Sequence, residues 1–88
     1  RTYDFIGVVE SYDKETGIAT IEQRNHFKKG DMIEIIGPNY FYHEHLVDVM
    51  YDKDDEPIEV APHAKMIVKI PLHHEVKKHD LVRMVARD

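Results

Sequence analysis

Two histidines in a β-like segment have a spacing that could hold a metal ion. His43 and His45 are two residues apart, so in a strand both imidazoles project from one face and could reach the same ion. No third ligand is evident, because the other histidines are scattered through predicted loops. These are His26, His63, His73, His74 and His79. Neighbours in a strand face opposite ways, so His73 and His74 are predicted to be a poor chelating pair. The sequence therefore predicts no metal site, with His43 and His45 as weak candidates only.

A second group of polar and aromatic side chains lies at a predicted strand end, in residues 22–27. Its carboxylate, amides, guanidinium, imidazole and aromatic ring could contact a base edge, a phosphate or a peptide backbone. The structural alternative is that Arg24 pairs with a neighbouring acid, Asn25 caps the turn and Phe27 fills the end of the core. The candidate binding residues in and beside this group are Gln23, Arg24, Asn25, Phe27 and Lys28.

Three consecutive aromatic residues, Tyr40-Phe41-Tyr42, follow a break at Gly37-Pro38. They could form a stacking platform for a base or a proline-rich peptide. Aromatic residues that open a strand can equally cover the end of a small core, and the sequence leaves both interpretations open. Tyr40 and Tyr42 are added to the candidate binding residues.

No catalytic group is predicted. The chain has no cysteine, and its one serine, Ser11, lies within a predicted strand. There is no glycine-rich phosphate loop. The acidic residues 52–56 lack the alternation and the closing glutamate of a calcium loop. We therefore expect a non-enzymatic segment with no cofactor of its own.

Length and charge narrow the class of protein. The 88 residues suit one domain, and the formal net charge of −5 argues against independent, nonspecific binding of nucleic acid. A local basic patch at Arg24, Lys28 and Lys29 remains a possible binding site.

No apolar run approaches the ~18 residues of a membrane span, and no signal peptide is visible. The absence of cysteine fits a cytoplasmic protein. A strand-like pattern begins two residues after Arg1, which predicts a fragment of a longer protein.

Two turn-and-strand segments repeat each other. Residues 27–36 and 76–85 align without a gap at an offset of 49 residues, with Lys, Lys and Asp repeated outright. The repetition predicts a pseudo-symmetric β structure in which Gly30 and His79 occupy equivalent turn positions. His79 should then have a positive φ, as Gly30 is free to have.

The remaining pattern is β throughout. The predicted strands are residues 3–12, 18–24, 32–36, 40–51, 58–60, 66–70 and 81–87. Gly7 is expected at a bulge or close backbone approach, and residues 13–17 are expected to form a hairpin loop. We predict an all-β fold, a small closed or partly open antiparallel β-barrel of six or seven strands.

Several short motifs are spread over the whole chain. They are Phe5-Ile6-Gly7-Val8-Val9-Glu10, Glu22-Gln23-Arg24-Asn25-x-Phe27-x-x-Gly30-Asp31-x-x-Glu34, Gly37-Pro38, Ala61-Pro62-His63 and Asp80-Leu81-Val82-Arg83. Together they resemble the C-terminal domain of peptidase family U32, the collagenase-like family. Residues 23–31 carry the most specific part of the resemblance. One departure is the acidic turn, where the family often has glycine near the position of Pro57.

The resemblance implies a compact barrel similar to the second domain of elongation factor Tu, placed after a larger catalytic domain. It implies that the catalytic apparatus and a cysteine-ligated cofactor belong to that upstream part. Family members were named as peptidases, while some resemble enzymes that hydroxylate tRNA uridine or ribosomal RNA. No catalytic residue transfers to this chain, because no position here corresponds to one.

Three functions follow as hypotheses. The leading one is a non-catalytic accessory barrel of a U32 peptidase, a hydrolase, that binds a partner or helps to position a protein substrate. The alternative is a module that contacts tRNA or rRNA for a modifying enzyme. The third is a purely structural domain for packing or oligomerisation. In each case the upstream catalytic domain is an expected partner, and a membrane is not.

Overall fold

The computed structural model describes residues 3–38, 40–61 and 63–85, and this part of the chain is entirely β and irregular structure. No helix long and apolar enough to cross a membrane occurs in the described residues. The strands are β1 (Tyr3–Asp13), β2 (Ile18–Gln23), β3 (Phe27–Lys28), β4 (Met32–Gly37), β5 (Tyr40–Leu46), β6 (Val60–Ala61), β7 (Ile67–Pro71) and β8 (Leu81–Val85).

Six of these strands form one antiparallel sheet in the order β5-β4-β8-β1-β2-β7, and β3 pairs with β6 in a separate two-stranded ladder. The large sheet curls into a half-barrel whose edge strands are β5 and β7. The predicted all-β barrel is confirmed in its partly open form. Curling lets 88 residues enclose one core while leaving few unpaired strand edges.

The core lies on the concave face of the curled sheet. Alternation along the strands directs every second side chain inward, as in β2, where Ala19, Ile21 and Gln23 are buried. Further fully buried apolar side chains come from β1, β4, β7 and β8, among them Ile6, Val9, Ile33, Ile35, Val68, Ile70 and Val82. Burying such a side chain stabilises the fold by about 1.5–3 kcal/mol.

Strand β1 bends because it carries two irregularities. Its register against β8 shifts between Phe5 and Gly7, and its register against β2 shifts between Val9 and Ser11. A Cβ atom at Gly7 would lie 2.7 Å from the backbone oxygen of Glu22. Only glycine allows this close approach, so the predicted bulge at Gly7 is confirmed. The bulge bends β1, which lets it pair with both β8 and β2.

The predicted hairpin loop between β1 and β2 is also confirmed. The backbone N–H of Glu15 donates to the Asp13 carboxylate (2.9 Å), and that of Gly17 donates to the Asp13 carbonyl (2.8 Å). Gly17 has a φ of 73°, which closes the loop at little steric cost.

The two repeated turns have the same geometry. In the first, the backbone N–H of Lys28 donates to the Asp31 carboxylate at 2.9 Å, and in the second Lys77 donates to Asp80 at 2.9 Å. Both aspartates are 4% exposed. Each carboxylate therefore holds its own turn closed from inside.

Each turn also bonds a valine on a neighbouring segment in the same way. The N–H groups of Gly30 and His79 donate to the carbonyls of Val47 and Val9, at 2.7 and 2.8 Å. Gly30 has a φ of 97° and His79 a φ of 79°. The predicted positive φ of His79 is confirmed, and the turns are structurally equivalent.

The repeats are related by a pseudo-twofold axis. Strands β4 and β8 pair antiparallel, with Glu34 directly opposite Arg83. These two residues are also 49 positions apart, so they are equivalent in the two repeats. The axis must pass between them, and it places the two turns at opposite ends of the β4–β8 ladder.

Two predicted strands differ from the structure. The predicted strand over residues 40–51 ends at Leu46, because Val47 bonds to the Asp31 turn and Val47 and Met50 then turn into the core. The predicted strand over residues 58–60 is displaced to Val60–Ala61. It pairs with β3, which lies inside a predicted loop. Both differences arise from pairing between residues distant in sequence.

Candidate functional site

The candidate binding group at the end of β2 contains both buried and exposed side chains. Gln23 is fully buried, and its Nε2 donates to the carbonyls of Ala61 and, at 3.1 Å, of Asn25. Phe27 is 1% exposed and is the largest fully buried side chain among the described residues. Gln23 and Phe27 thus hold β2, β3 and β6 together. A direct ligand contact stays a prediction for the exposed members of the group.

The exposed members carry polar groups with weak internal partners. The Arg24 Nε lies 2.8 Å from a Glu22 carboxylate oxygen, with the Arg24 side chain 47% exposed. The Lys28 Nζ lies 3.4 Å from Asp31, with the Lys28 side chain 57% exposed. Exposed ion pairs contribute about 0–1 kcal/mol. Arg24 can therefore turn to a phosphate or carboxylate at small cost, whereas Lys28 would give up a contact with a carboxylate that is 4% exposed.

Asn25 ties this group to β1. Its side-chain amide donates to the Phe5 carbonyl at 2.6 Å, and the Arg24 backbone N–H donates to the Ile6 carbonyl at 2.8 Å. The predicted capping role of Asn25 is thus replaced by a bond to the bulged strand. These bonds fix the backbone from which Arg24 and Lys28 project.

The lysines of the two turns do not form one basic patch. Leu81, which follows the second turn, pairs with Ile36, whereas the first turn precedes Met32. Five residues of strand separate the turns, a distance of roughly 17 Å. Lys28 and Lys29 therefore lie on the Arg24 side of the sheet, together with the exposed Lys65, whose backbone N–H donates to the Gln23 carbonyl at 2.7 Å, and Lys77 and Lys78 form a separate group.

The aromatic candidate Tyr42 belongs to the convex face of the sheet. Tyr42 is 44% exposed, and the Arg83 guanidinium lies 5.9 Å from its ring and 3.8 Å from the ring of Tyr3. The Arg83 Nε donates to Glu34 at 2.8 Å. The Tyr40 side chain lies outside the described part of the structure. Sequence reasoning missed Tyr3, Glu34 and Arg83, although the offset of 49 residues relates Glu34 to Arg83.

Four histidines meet at the opening of the half-barrel. His43 on β5 stacks on His74, with ring centroids 4.2 Å apart and planes 13° apart. His45 lies 5.4 Å from His73. His43 and His45 share a face, as predicted. The premise that His73 and His74 lie in a strand is wrong, because residues 72–76 are not in a strand. Their predicted weakness as a chelating pair stays a prediction.

The four histidines pack against one another in two pairs. In the described residues no three metal-ligating side chains are grouped to hold one. Stacked rings present their faces to each other, whereas a metal needs convergent nitrogen lone pairs. The Nε2 of His45 is buried and has no hydrogen-bond partner in the described structure. The cluster is better described as packing across the opening.

Packing makes the neutral imidazole the favoured form. Burial lowers the pKa of His43 below its ordinary value, and His74 lowers it further against an opposing effect of Asp80. Burial likewise lowers the pKa of His45, with His73 and His74 adding to the decrease and Asp48 opposing it. Protonation of His43 or His45 would place a charge in a partly buried position beside a second histidine.

The fold should therefore lose stability in mild acid. A histidine whose pKa is lower in the folded state binds fewer protons there, so stability is full above the unfolded pKa of about 6.5 and falls as the pH drops through the folded value. Urea unfolding between pH 7.5 and 5.0 should show this decrease. A His45→Leu variant should flatten it, and His26→Gln, at an exposed position, should not. Equal slopes in both variants would contradict the assignment.

The geometry defines a small half-barrel domain that lacks a grouped metal site in its described part. A family model, described as the peptidase family U32 C-terminal domain, matches residues 1–83. The chain belongs to this family, and the resemblance predicted from its motifs is confirmed.

Known proteins agree with this assignment. The chain is 38% identical over 82 residues to tRNA hydroxylation protein P1 of Bacillus subtilis (strain 168), covering 93% of this chain and 19% of that protein. The chain thus spans about one fifth of that relative's length.

Two crystal structures of the C-terminal domain of a U32-family protein from Geobacillus thermoleovorans have the same fold. One has a TM-score of 0.89 at 35% identity, covering 94% of this chain and 93% of that one. The selenomethionine variant has a TM-score of 0.87 at 36% identity, covering 91% and 98%. The half-barrel is therefore shared by the two proteins.

Proposed function

We propose that this domain is a non-catalytic accessory module that helps to hold tRNA for an RNA-hydroxylating parent protein in the cytoplasm. The observation that carries the proposal is the 38% identity to tRNA hydroxylation protein P1. It favours the RNA alternative over a protein substrate of a peptidase. In this proposal the catalytic groups and any cofactor belong to the part of the parent protein that precedes the domain.

The exposed basic residues after β2 are the proposed RNA contact. Arg24 and Lys28 project from a backbone fixed by hydrogen bonds to β1 and within the first turn. The exposed Arg24–Glu22 ion pair is exchangeable, and the Lys28 ammonium group reaches solvent beside the buried Asp31 carboxylate. A phosphate can replace either carboxylate as the partner of a guanidinium or ammonium group.

The net charge sets the strength of this contact. At −5 the whole domain repels a polyanion at long range. Two or three cations at one place can position a phosphate backbone but cannot supply strong binding alone. The domain therefore acts as an auxiliary contact, and the parent protein supplies most of the affinity.

The test is a titration of labelled tRNA with the full-length parent protein at several salt concentrations. The Arg24→Ala/Lys28→Ala variant should bind more weakly and lose about two units from the slope of log affinity against log salt. The matched control is Lys77→Ala/Lys78→Ala in the equivalent second turn, which should leave the slope unchanged. An unchanged slope in the first variant, or equal losses in both, would contradict the proposal.

A further inference from the structure

The convex face of the sheet carries most of the exposed large apolar side chains among the described residues. Six large apolar side chains, each 41–51% exposed, project from its strands β5, β4, β8 and β1. They are Tyr3, Phe5, Met32, Tyr42, Leu46 and Leu81. Among the described residues one further large apolar side chain is comparably exposed, Val60 on β6. We call the group of six the convex patch.

The strand register places the six side chains of the convex patch on one face of the sheet, around the central Glu34–Arg83 pair. Met32 lies directly opposite Leu46 on β5, and Phe5 on β1 lies opposite Arg83 on β8. Side chains of directly opposed residues lie on the same face of a sheet. Exposed apolar side chains grouped on one face among polar residues are a feature of interaction sites.

The charge at the centre of the patch is already neutralised. Arg83 donates to the Glu34 carboxylate at 2.8 Å and covers the Tyr3 ring, and Glu34 is 1% exposed. Glu44, opposite Glu34 on β5, is exposed and adds a negative charge. Among the described side chains of these four strands the one cation is Arg83, which already pairs with Glu34, so this face suits an apolar protein surface better than a polyanion.

We propose that the convex patch docks against the part of the parent protein that precedes this domain. The relative tRNA hydroxylation protein P1 has about four fifths of its length outside the matched region. In a family member, that preceding part joins the C-terminal domain through β1. Tyr3, at the start of β1, is itself a member of the patch. The covalent connection through β1 therefore holds the preceding part close to the edge of the convex patch.

The size of the patch favours a tethered occupant. Four strands about 4.8 Å apart and about five residues long cover roughly 300 Å². Stable complexes of separate proteins bury about 800 Å² on each partner. A covalent tether raises the effective concentration enough for a smaller interface to stay closed. A second copy of the domain lacks this advantage. The inference concerns a different surface from Arg24 and Lys28 and does not depend on RNA binding.

Methionine oxidation in the full-length protein tests the proposal. Met32 lies in the patch and is 43% exposed in the domain, whereas Met50 is fully buried in the core. With dilute peroxide and mass spectrometry, Met32 should be protected in the wild-type protein. A Leu46→Lys/Leu81→Lys variant should oxidise Met32 roughly tenfold faster. Met50 should stay protected and show that the fold is intact. Val60→Lys is the matched control and should change neither rate.

Three results would overturn the proposal. Met32 that oxidises equally fast in the wild type and the variant would show a free patch. Protection that coincides with a dimeric mass, lost together in the variant, would identify a second copy as the occupant. Protection of Met32 that appears only when tRNA is added would assign the patch to RNA.

Discussion

Replacing Arg83 by methionine is expected to lower the free energy of unfolding by about 3 kcal/mol. The Glu34 carboxylate is 1% exposed and receives a 2.8 Å hydrogen bond from Arg83. Without the guanidinium, the Glu34 carboxylate loses this hydrogen bond although its negative charge has little access to water. The Tyr3 ring also loses the cation above it. Urea unfolding followed by circular dichroism at pH 7 measures the difference.

Two companion variants show that the effect comes from the buried charge. Glu34→Leu/Arg83→Met removes both partners and should be less destabilised than Arg83→Met alone, because no charge stays behind in the sheet. Arg24→Met breaks an ion pair whose side chains are 47% and 29% exposed, and should cost less than about 1 kcal/mol. Equal losses from Arg83→Met and Arg24→Met would contradict this role for Glu34.

Replacing Phe27 by alanine is expected to cost about 4 kcal/mol and to lower the melting temperature by roughly 20 °C. Phe27 is 1% exposed, and its strand carries the β3–β6 ladder beside the large sheet. Alanine would leave a ring-sized cavity that the fixed backbone around Gln23 cannot fill. Thermal unfolding of the domain in its parent protein measures the shift.

Phe27→Leu and Lys28→Ala provide the controls. Leucine retains most of the buried volume and should lose less than half as much stability as alanine. Lys28→Ala removes an exposed side chain next to the same position and should cost less than about 1 kcal/mol. A Phe27→Ala variant with unchanged melting temperature but reduced tRNA affinity would instead make Phe27 a ligand contact.

Features with a local cause could be predicted from the sequence. The turns follow from the repeated Lys-Lys-x-Asp pattern, and the positive φ of His79 follows from its alignment with Gly30. The bulge at Gly7 follows from a glycine inside a β-rich run. In each case the residue type itself restricts the backbone, so no knowledge of distant partners was needed.

Features that depend on distant partners could not be predicted. Gln23 and Phe27 have the composition of a binding group, yet β6, more than 30 residues away, buries them. The histidines meet because residues 72–76 leave the sheet and cross its opening. The convex patch emerges only from the strand order, which places β8 between β4 and β1.

The position of the Glu34–Arg83 pair also explains why the two repeats cannot be interchanged. A residue on a twofold axis faces its own copy, so a symmetric assembly of two first repeats would bring two carboxylates together where Glu34 meets Arg83. Two copies of the second repeat would oppose two guanidinium groups. Joining the repeats in one polypeptide lets opposite charges occupy the axis. The chain therefore contains two halves that are alike in backbone and complementary in charge at their point of contact.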